Sequence, residues 1–141
     1  RYIYILYKFN FFIFLFYIMF LILSSAIILL ILDFIYLSSF GRYFTNQIEV
    51  IQKSPFEIDN LSTIFTYIIL VLGLYYFILR ENRGVVDAFL LGLVVYLVFE
   101  LTNKAIFNKW SWTSVAIDGL WGGILFALTT FLTYKVYKHF H

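Results

Sequence analysis

The 141-residue chain contains no cysteine, one proline and only two histidines. Without cysteine it can form neither disulfide bonds nor thiolate metal sites, and a cysteine nucleophile is excluded. Both histidines, His139 and His141, come after the last apolar run. A buried histidine base or a histidine-ligated metal is therefore not expected. Acid–base chemistry would have to use carboxylates, tyrosines or lysines.

Charged residues are also scarce. They make up 13% of the chain, with a net charge of +2 and no basic run, which argues against nucleic-acid binding. Hydrophobic residues reach 63%, whereas a soluble domain has about 45–50% apolar and about 25% charged residues. Because a soluble chain of this length buries only about 70% of its unfolded surface, the expected solvent is the lipid bilayer.

Four long apolar runs account for most of the sequence, and they predict transmembrane helices at about residues 11–32, 61–79, 85–101 and 113–136. Each run is close to the roughly 20 residues that cross a hydrocarbon core about 30 Å thick. Backbone polar groups in lipid must be satisfied internally, and no barrel-like alternation is visible. The sequence therefore predicts an all-α, four-helix integral membrane bundle forming one domain over residues 1–141.

The two ends of the first run leave separate questions open. It is too long for a signal-peptide core, so we expect it to be an uncleaved helix. The chain begins with Arg1 instead of methionine, which leaves open whether residues precede it. After the run, a long connection over residues 33–60 has apolar side chains at helical spacing between Phe40 and Ile51. This segment is either a short interfacial helix or an extension of the first helix.

Basic residues predict the orientation. The side that carries both termini holds six of them: Arg1, Lys8, Arg80, Arg83, Lys135 and Lys138. The other side holds four: Arg42, Lys53, Lys104 and Lys109. This excess predicts cytoplasmic termini, without distinguishing a cellular from a viral membrane. Trp110 and Trp112 are expected to be anchors at the opposite interface.

Three carboxylates, Asp33, Glu100 and Asp118, lie in or beside the apolar runs, at the side opposite the termini. Asp118 is about six residues inside the fourth helix, hence roughly 9 Å below its start. A charge at mid-bilayer costs about 2.5–3.5 kcal/mol, so this side chain should face protein or a water-filled pocket. Trp121 and Gly122 follow it at helical spacing and share its side of the helix.

Small residues predict how the last two helices pack. In the third helix, Gly92, Tyr96 and Glu100 recur every four residues and share one face. In the fourth, Gly119 and Gly123 form a small-xxx-small pattern that allows close approach. We therefore expect these two faces to meet.

That packing would bring polar groups of the first, third and fourth helices together near one membrane face. The expected ligand-binding set is Asp33, Tyr36, Tyr96, Glu100, Thr102, Asn103, Asp118, Trp121 and Gly122.

Several short elements resemble a family of small membrane proteins, domain-of-unknown-function family 2177, over about residues 26–134. The elements are Asp33-Phe34-Ile35-Tyr36-Leu37, Phe99-Glu100-Leu101-Thr102-Asn103, Trp110, Asp118-Gly119-Leu120-Trp121-Gly122 and the glycine of Val71-Leu72-Gly73. Tyr36 stands where the family has tryptophan, and Glu100 where it has aspartate. The resemblance implies a four-helix membrane protein without an established activity, of a kind found in bacterial inner membranes and among large DNA viruses.

Three functions fit these observations. The first is a binding or transport protein whose carboxylate and aromatic pocket, near the non-cytoplasmic face, holds a cation, a proton or a lipid headgroup. Transport through so small a bundle would require a homo-oligomer. The second is a lipid-modifying enzyme with Asp118 and Glu100 as acid and base, although the sequence identifies no cofactor or metal site. The third is a structural component, for example of a viral envelope, in which polar residues only join helices.

Overall fold

The computed structural model describes residues 2–140, with side chains from Asn10 onward, so Arg1, His141 and the side chain of Lys8 lie outside the described part. The described chain forms four α-helices: α1 (Tyr2–Gln52), α2 (Asn60–Leu74), α3 (Val85–Ile106) and α4 (Trp112–Phe140). A π-helical turn, Tyr75–Leu79, continues α2. All regular secondary structure within residues 2–140 is helical, which confirms the predicted fold class.

Four of the described helical stretches are long and apolar enough to cross a membrane. Their outer faces carry large apolar side chains that are mostly exposed, including Phe34, Ile69 and Val86. Water would make such a surface prone to aggregation, whereas lipid accommodates it. The chain is a membrane-spanning helical protein.

The first helix is much longer than predicted. At 51 residues, α1 extends for about 75 Å. The segment from Phe40 to Ile51 is part of it, so the extension of the first helix is the alternative that the structure shows. The expected long connection over residues 33–60 is wrong, because only residues 53–59 join α1 to α2. We call residues 37–52 the α1 extension.

Hydrogen bonds hold the α1 extension against the start of α4. The Gln47 Oε1 atom accepts hydrogen bonds from the Ser111 backbone N–H and the Ser114 hydroxyl, both at 3.0 Å. The Tyr43 hydroxyl lies 2.7 Å from the Ser111 hydroxyl. The helix ends where Lys53 adopts a positive φ of 58°. These contacts across the bundle explain why polar residues did not end the helix after its apolar run.

The α3–α4 pair forms the main helix contact, and its backbones meet at two glycines. A Cβ atom on Gly92 would lie 2.1 Å from the Gly122 carbonyl oxygen, and one on Gly122 would lie 2.2 Å from the Tyr96 ring. Gly119 and Gly123 lie against side chains of α3 as well. Only residues without side chains permit so close a crossing.

An apolar layer lies on the terminal side of this crossing. Leu29 in α1 comes one turn before Asp33, and Leu125 and Phe126 in α4 follow Trp121 by about one turn. All three apolar side chains are buried. The polar groups described below are therefore separated from the terminal face by packed hydrocarbon.

Asp59 caps the start of α2. Its carboxylate accepts hydrogen bonds from the Ser62 hydroxyl and the Leu61 backbone N–H, and these bonds, the Ser62 bond foremost, hold its pKa below the ordinary value of 3.8. Because the pKa of Asp59 is lowered in the folded protein, the cap stabilises the fold fully above pH 3.8. This stabilisation is lost as the pH falls through the folded pKa. We expect Asp59→Ala to fray the first turn of α2, seen as faster amide exchange at residues 61–63, and the difference from wild type to vanish in strong acid. Equal exchange in both proteins at neutral pH would contradict the role of the cap.

Candidate functional site

Asp33 joins three helices. Its carboxylate accepts hydrogen bonds from the Trp121 indole Nε1–H of α4, at 2.8 Å, and from the Tyr67 hydroxyl of α2, at 2.5 Å. The side chain is 7% exposed although it carries a carboxyl group. Two donors, one to each oxygen, compensate for much of the cost of burying it.

Tyr36, about one turn after Asp33 in α1, connects this centre to the second carboxylate. Its hydroxyl donates to Asp118 Oδ1 at 2.9 Å. Its ring stacks on the Trp121 indole with ring centroids 4.5 Å apart and an interplanar angle of 8°. The stack and the two hydrogen bonds fix the rotamers of all four side chains.

Glu100 is the most deeply buried acid, with 1% of its side chain exposed. Its Oε2 atom accepts a hydrogen bond from the Trp110 indole at 2.7 Å. Its carboxyl group also lies within hydrogen-bonding reach of the Asp118 carboxyl. A hydrogen bond between two carboxyl groups needs a proton on one of them, and two carboxylate anions at this distance repel each other. The pair can therefore take up a proton or a group that donates hydrogen bonds.

Glu100 and Asp118 line a cavity of about 500 Å³, which we call the interfacial cavity. It lies between the α1 extension, the connection after it, the end of α3 and the start of α4. Its lining consists of Leu37, Gly41, Arg42, Phe44, Thr45, Ile48, Phe56, Ile58, Phe99, Glu100, Trp110 and Asp118. Most of these side chains are apolar, and the acid pair and Arg42 supply the charges.

A second space, the α2–α3 groove, also reaches Asp118. It measures about 230 Å³ and is lined by Thr66, Leu70, Val95, Tyr96, Phe99 and Asp118. α2 and α3 are consecutive and antiparallel, yet each packs mainly on another helix, α2 on α1 and α3 on α4. The groove between them is open to the outside of the bundle, where Thr66, Val95 and Phe99 are exposed. Phe99 and Asp118 line both spaces.

The three carboxylates do not converge on one point. Among residues with described side chains, no three histidine, cysteine or acidic residues lie close enough to hold a metal ion. Asp33 is engaged with Tyr67 and Trp121, so only Glu100 and Asp118 are available to the interfacial cavity. The candidate site is thus a carboxyl pair, and Asp33 is connected to it through Trp121 and Tyr36.

The structure brings together most of the sequence-predicted site residues. Asp33, Tyr36, Glu100, Asp118 and Trp121 belong to one network. The ring of Tyr96 lies against Gly122 and lines the α2–α3 groove.

Neither Thr102 nor Asn103 lines the interfacial cavity. The Thr102 side chain is exposed and its hydroxyl donates to the Val98 carbonyl. The Asn103 carbonyl accepts the hydrogen bond that closes the end of α3, from Phe107. α3 continues to Ile106, and a step of two residues along a helix turns the side chain to the opposite face. Residue 102 therefore points away from the face that Glu100 occupies.

Sequence reasoning missed three residues. Tyr67 donates to Asp33, and Arg42 lines the interfacial cavity. Trp110 was expected to be an interfacial anchor, but it is 6% exposed and donates to Glu100. The presence of Trp110 among the sequence elements shared with the family was the one signal that it belongs with the other site residues. Trp112, in contrast, is 66% exposed with the Lys104 ammonium 5.8 Å from its ring, as an anchor would be.

Comparison with known proteins agrees with this architecture. The family model described as "Predicted membrane protein (DUF2177)" matches residues 16–135, which include every residue of the hydrogen-bond network. A search of the curated proteins finds no match, and neither does a search of the solved structures. The resemblance inferred from the short sequence elements is confirmed, and the chain belongs to the DUF2177 family of predicted membrane proteins.

Proposed function

We propose that this protein binds the polar headgroup of a membrane lipid, one that carries an amine or hydroxyl group, at Glu100 and Asp118. The main support is that these two carboxyl groups lie side by side in the wall of a cavity that is otherwise largely apolar. An amine or hydroxyl supplies the hydrogen-bond donors that the pair lacks when it is ionised.

The chemistry of the cavity wall favours an amphiphile over a free ion. Phe44, Ile48 and Phe56 offer hydrocarbon contact next to the carboxyl pair. Charge interactions are stronger in such surroundings than in water. A divalent cation such as calcium takes 6–8 oxygen ligands, and the pair supplies at most four. A proton satisfies the pair when the cavity is empty, so ligand and proton compete for the same oxygens.

The surrounding network positions the pair for binding. Trp110 holds one oxygen of Glu100, and Tyr36 holds one oxygen of Asp118. Each carboxyl group thus keeps another oxygen for a ligand. Side chains locked by neighbouring hydrogen bonds lose little conformational freedom on binding.

The interpretation in which polar residues only join helices fits Asp33 better than it fits Glu100 and Asp118. Asp33 joins α1, α2 and α4 and does not line the interfacial cavity. The enzymatic interpretation has less support, because the cavity lining offers an acid–base pair but only Thr45 as a hydroxyl nucleophile.

Under this proposal the site opens on the face opposite the termini, and the excess of basic residues on the terminal side predicts that this face is non-cytoplasmic. Under this proposal the ligand is a lipid of the outer leaflet.

The test is binding of dodecylamine to the detergent-solubilised protein, measured by native mass spectrometry. We expect Glu100→Gln to lower the affinity about tenfold, because a hydrogen bond to a charged group contributes about 1.5–3 kcal/mol and 1.4 kcal/mol is a factor of ten. The matched control is Glu57→Gln, which removes an exposed acid outside the cavity lining. Equal affinity in both variants would rule out the carboxyl pair as the binding site.

A further inference from the structure

We infer that the bound lipid is a zwitterionic aminophospholipid. Its ammonium group contacts Glu100 and Asp118, its phosphate contacts Arg42, and one acyl chain lies in the α2–α3 groove. This inference rests on the proposed headgroup site and adds the identity of the lipid class.

Arg42 provides the first support. Its exposed side chain lines the interfacial cavity with the carboxyl pair, and its guanidinium forms no ion pair or hydrogen bond with any described side chain. A cation and two acids in one cavity, not neutralised by each other, match a ligand that carries both charges. Arginine is well suited to phosphate because its planar fork donates two parallel hydrogen bonds.

Charge complementarity also separates the lipid classes. A phospholipid with an anionic headgroup and no amine would satisfy Arg42 but would add negative charge next to Glu100 and Asp118. A simple long-chain amine would satisfy the acids but leave Arg42 unpaired. An amine and a phosphate on one headgroup satisfy both the acid pair and Arg42.

The α2–α3 groove provides the second support. It meets the interfacial cavity at Phe99 and Asp118, which line both. Leu70 and Val95 give it apolar walls, and it is open to the outside of the bundle. A lipid whose headgroup occupies the cavity can therefore place a chain in the groove without leaving the bilayer.

The headgroup is tested with three probes in native mass spectrometry: dioleoyl phosphatidylethanolamine, dioleoyl phosphatidylglycerol and dodecylamine. We expect the wild type to prefer phosphatidylethanolamine over phosphatidylglycerol about tenfold, the effect of one charged hydrogen bond. Arg42→Gln should lower phosphatidylethanolamine affinity about tenfold and dodecylamine affinity far less. Arg80→Gln, which removes an exposed arginine in the connection between α2 and α3, is the control.

The groove is tested with two adjacent valines of α3. Val95 lines the groove, whereas Val94 is exposed outside it. We expect Val95→Trp to fill the groove and lower phosphatidylethanolamine affinity at least about tenfold, since a displaced chain loses about 0.8 kcal/mol for each buried methylene. Val94→Trp should bind as the wild type does.

The outcomes separate this inference from the headgroup proposal. If dodecylamine binds and Glu100→Gln weakens that binding as expected, but Arg42→Gln does not weaken phosphatidylethanolamine binding, the lipid class is wrong and the carboxyl site stands. If only phosphatidylglycerol binds the wild type, the aminophospholipid is wrong and a hydroxyl-bearing headgroup stands; if none of the three probes binds, both proposals fail. Equal phosphatidylethanolamine binding by Val95→Trp and Val94→Trp overturns the placement of the chain.

Discussion

Replacing Gly92 by alanine should separate α3 from α4 and sharply lower the yield of folded protein. The added methyl group would lie 2.1 Å from the Gly122 carbonyl oxygen and 2.8 Å from its carbonyl carbon. Both atoms belong to the backbone, so the clash cannot be relieved by rotating a side chain. Overpacking a tight core costs about 1–3 kcal/mol, and a backbone clash lies at the upper end or beyond. We therefore expect about 3 kcal/mol of destabilisation.

Gly73→Ala is the matched control. Gly73 lies in α2, and a Cβ atom there would meet no atom within 4 Å. Alanine at this position should be neutral or stabilise the helix by about 0.5–1 kcal/mol, because it removes backbone freedom from the unfolded chain. Unfolding in detergent, followed by tryptophan fluorescence, compares the two variants. If Gly92→Ala is as stable as Gly73→Ala, the close crossing of α3 and α4 is wrong.

Asp33→Leu is the second large effect that we expect, a loss of about 2–5 kcal/mol of stability. Leucine is similar in size but accepts no hydrogen bond, so the Tyr67 hydroxyl and the Trp121 indole N–H lose their partner together. Each buried donor left unsatisfied costs about 1–3 kcal/mol. Asp33→Asn, which retains one carbonyl acceptor, should fall between leucine and the wild type.

The same unfolding measurement tests this effect, with Asp87→Leu as control. Asp87 is exposed in the first turn of α3, and surface substitutions usually change stability by no more than about 0.5 kcal/mol. A double-mutant cycle with Tyr67→Phe isolates the contact between the first two helices. Independent, additive effects of Asp33→Leu and Tyr67→Phe would show that the hydrogen bond between them contributes nothing.

The number and type of the helices could be predicted from the sequence because lipid imposes one requirement on every span. Each needs an apolar run of sufficient length and internal hydrogen bonds for its backbone. The proximity of Glu100 to Asp118 could also be predicted from the sequence. Spacing by four along α3 placed Gly92 and Glu100 on one face, and the glycines of α4 indicated what that face would meet.

Other parts of the site depend on tertiary contacts that no local pattern encodes. Asp33 was expected near Trp121, but the bond that it accepts from Tyr67 of α2 had no signal in the sequence. The α1 extension persists because Gln47 bonds to the start of α4. Hydropathy cannot distinguish a charged residue that lies at the membrane surface from one that is buried and hydrogen-bonded within the protein.

The unbroken length of α1 has a mechanical consequence. A stiff rod about 75 Å long cannot be contained in hydrocarbon about 30 Å thick. Its membrane-embedded part carries Asp33, and its extension forms one wall of the interfacial cavity. A helix longer than the hydrocarbon core is accommodated by tilting, by kinking or by local thickening of the bilayer, and an unbroken helix that tilts carries its extension with it. A change in the thickness of the host bilayer should therefore change the tilt of α1. The change in tilt moves the α1 extension and widens or narrows the interfacial cavity.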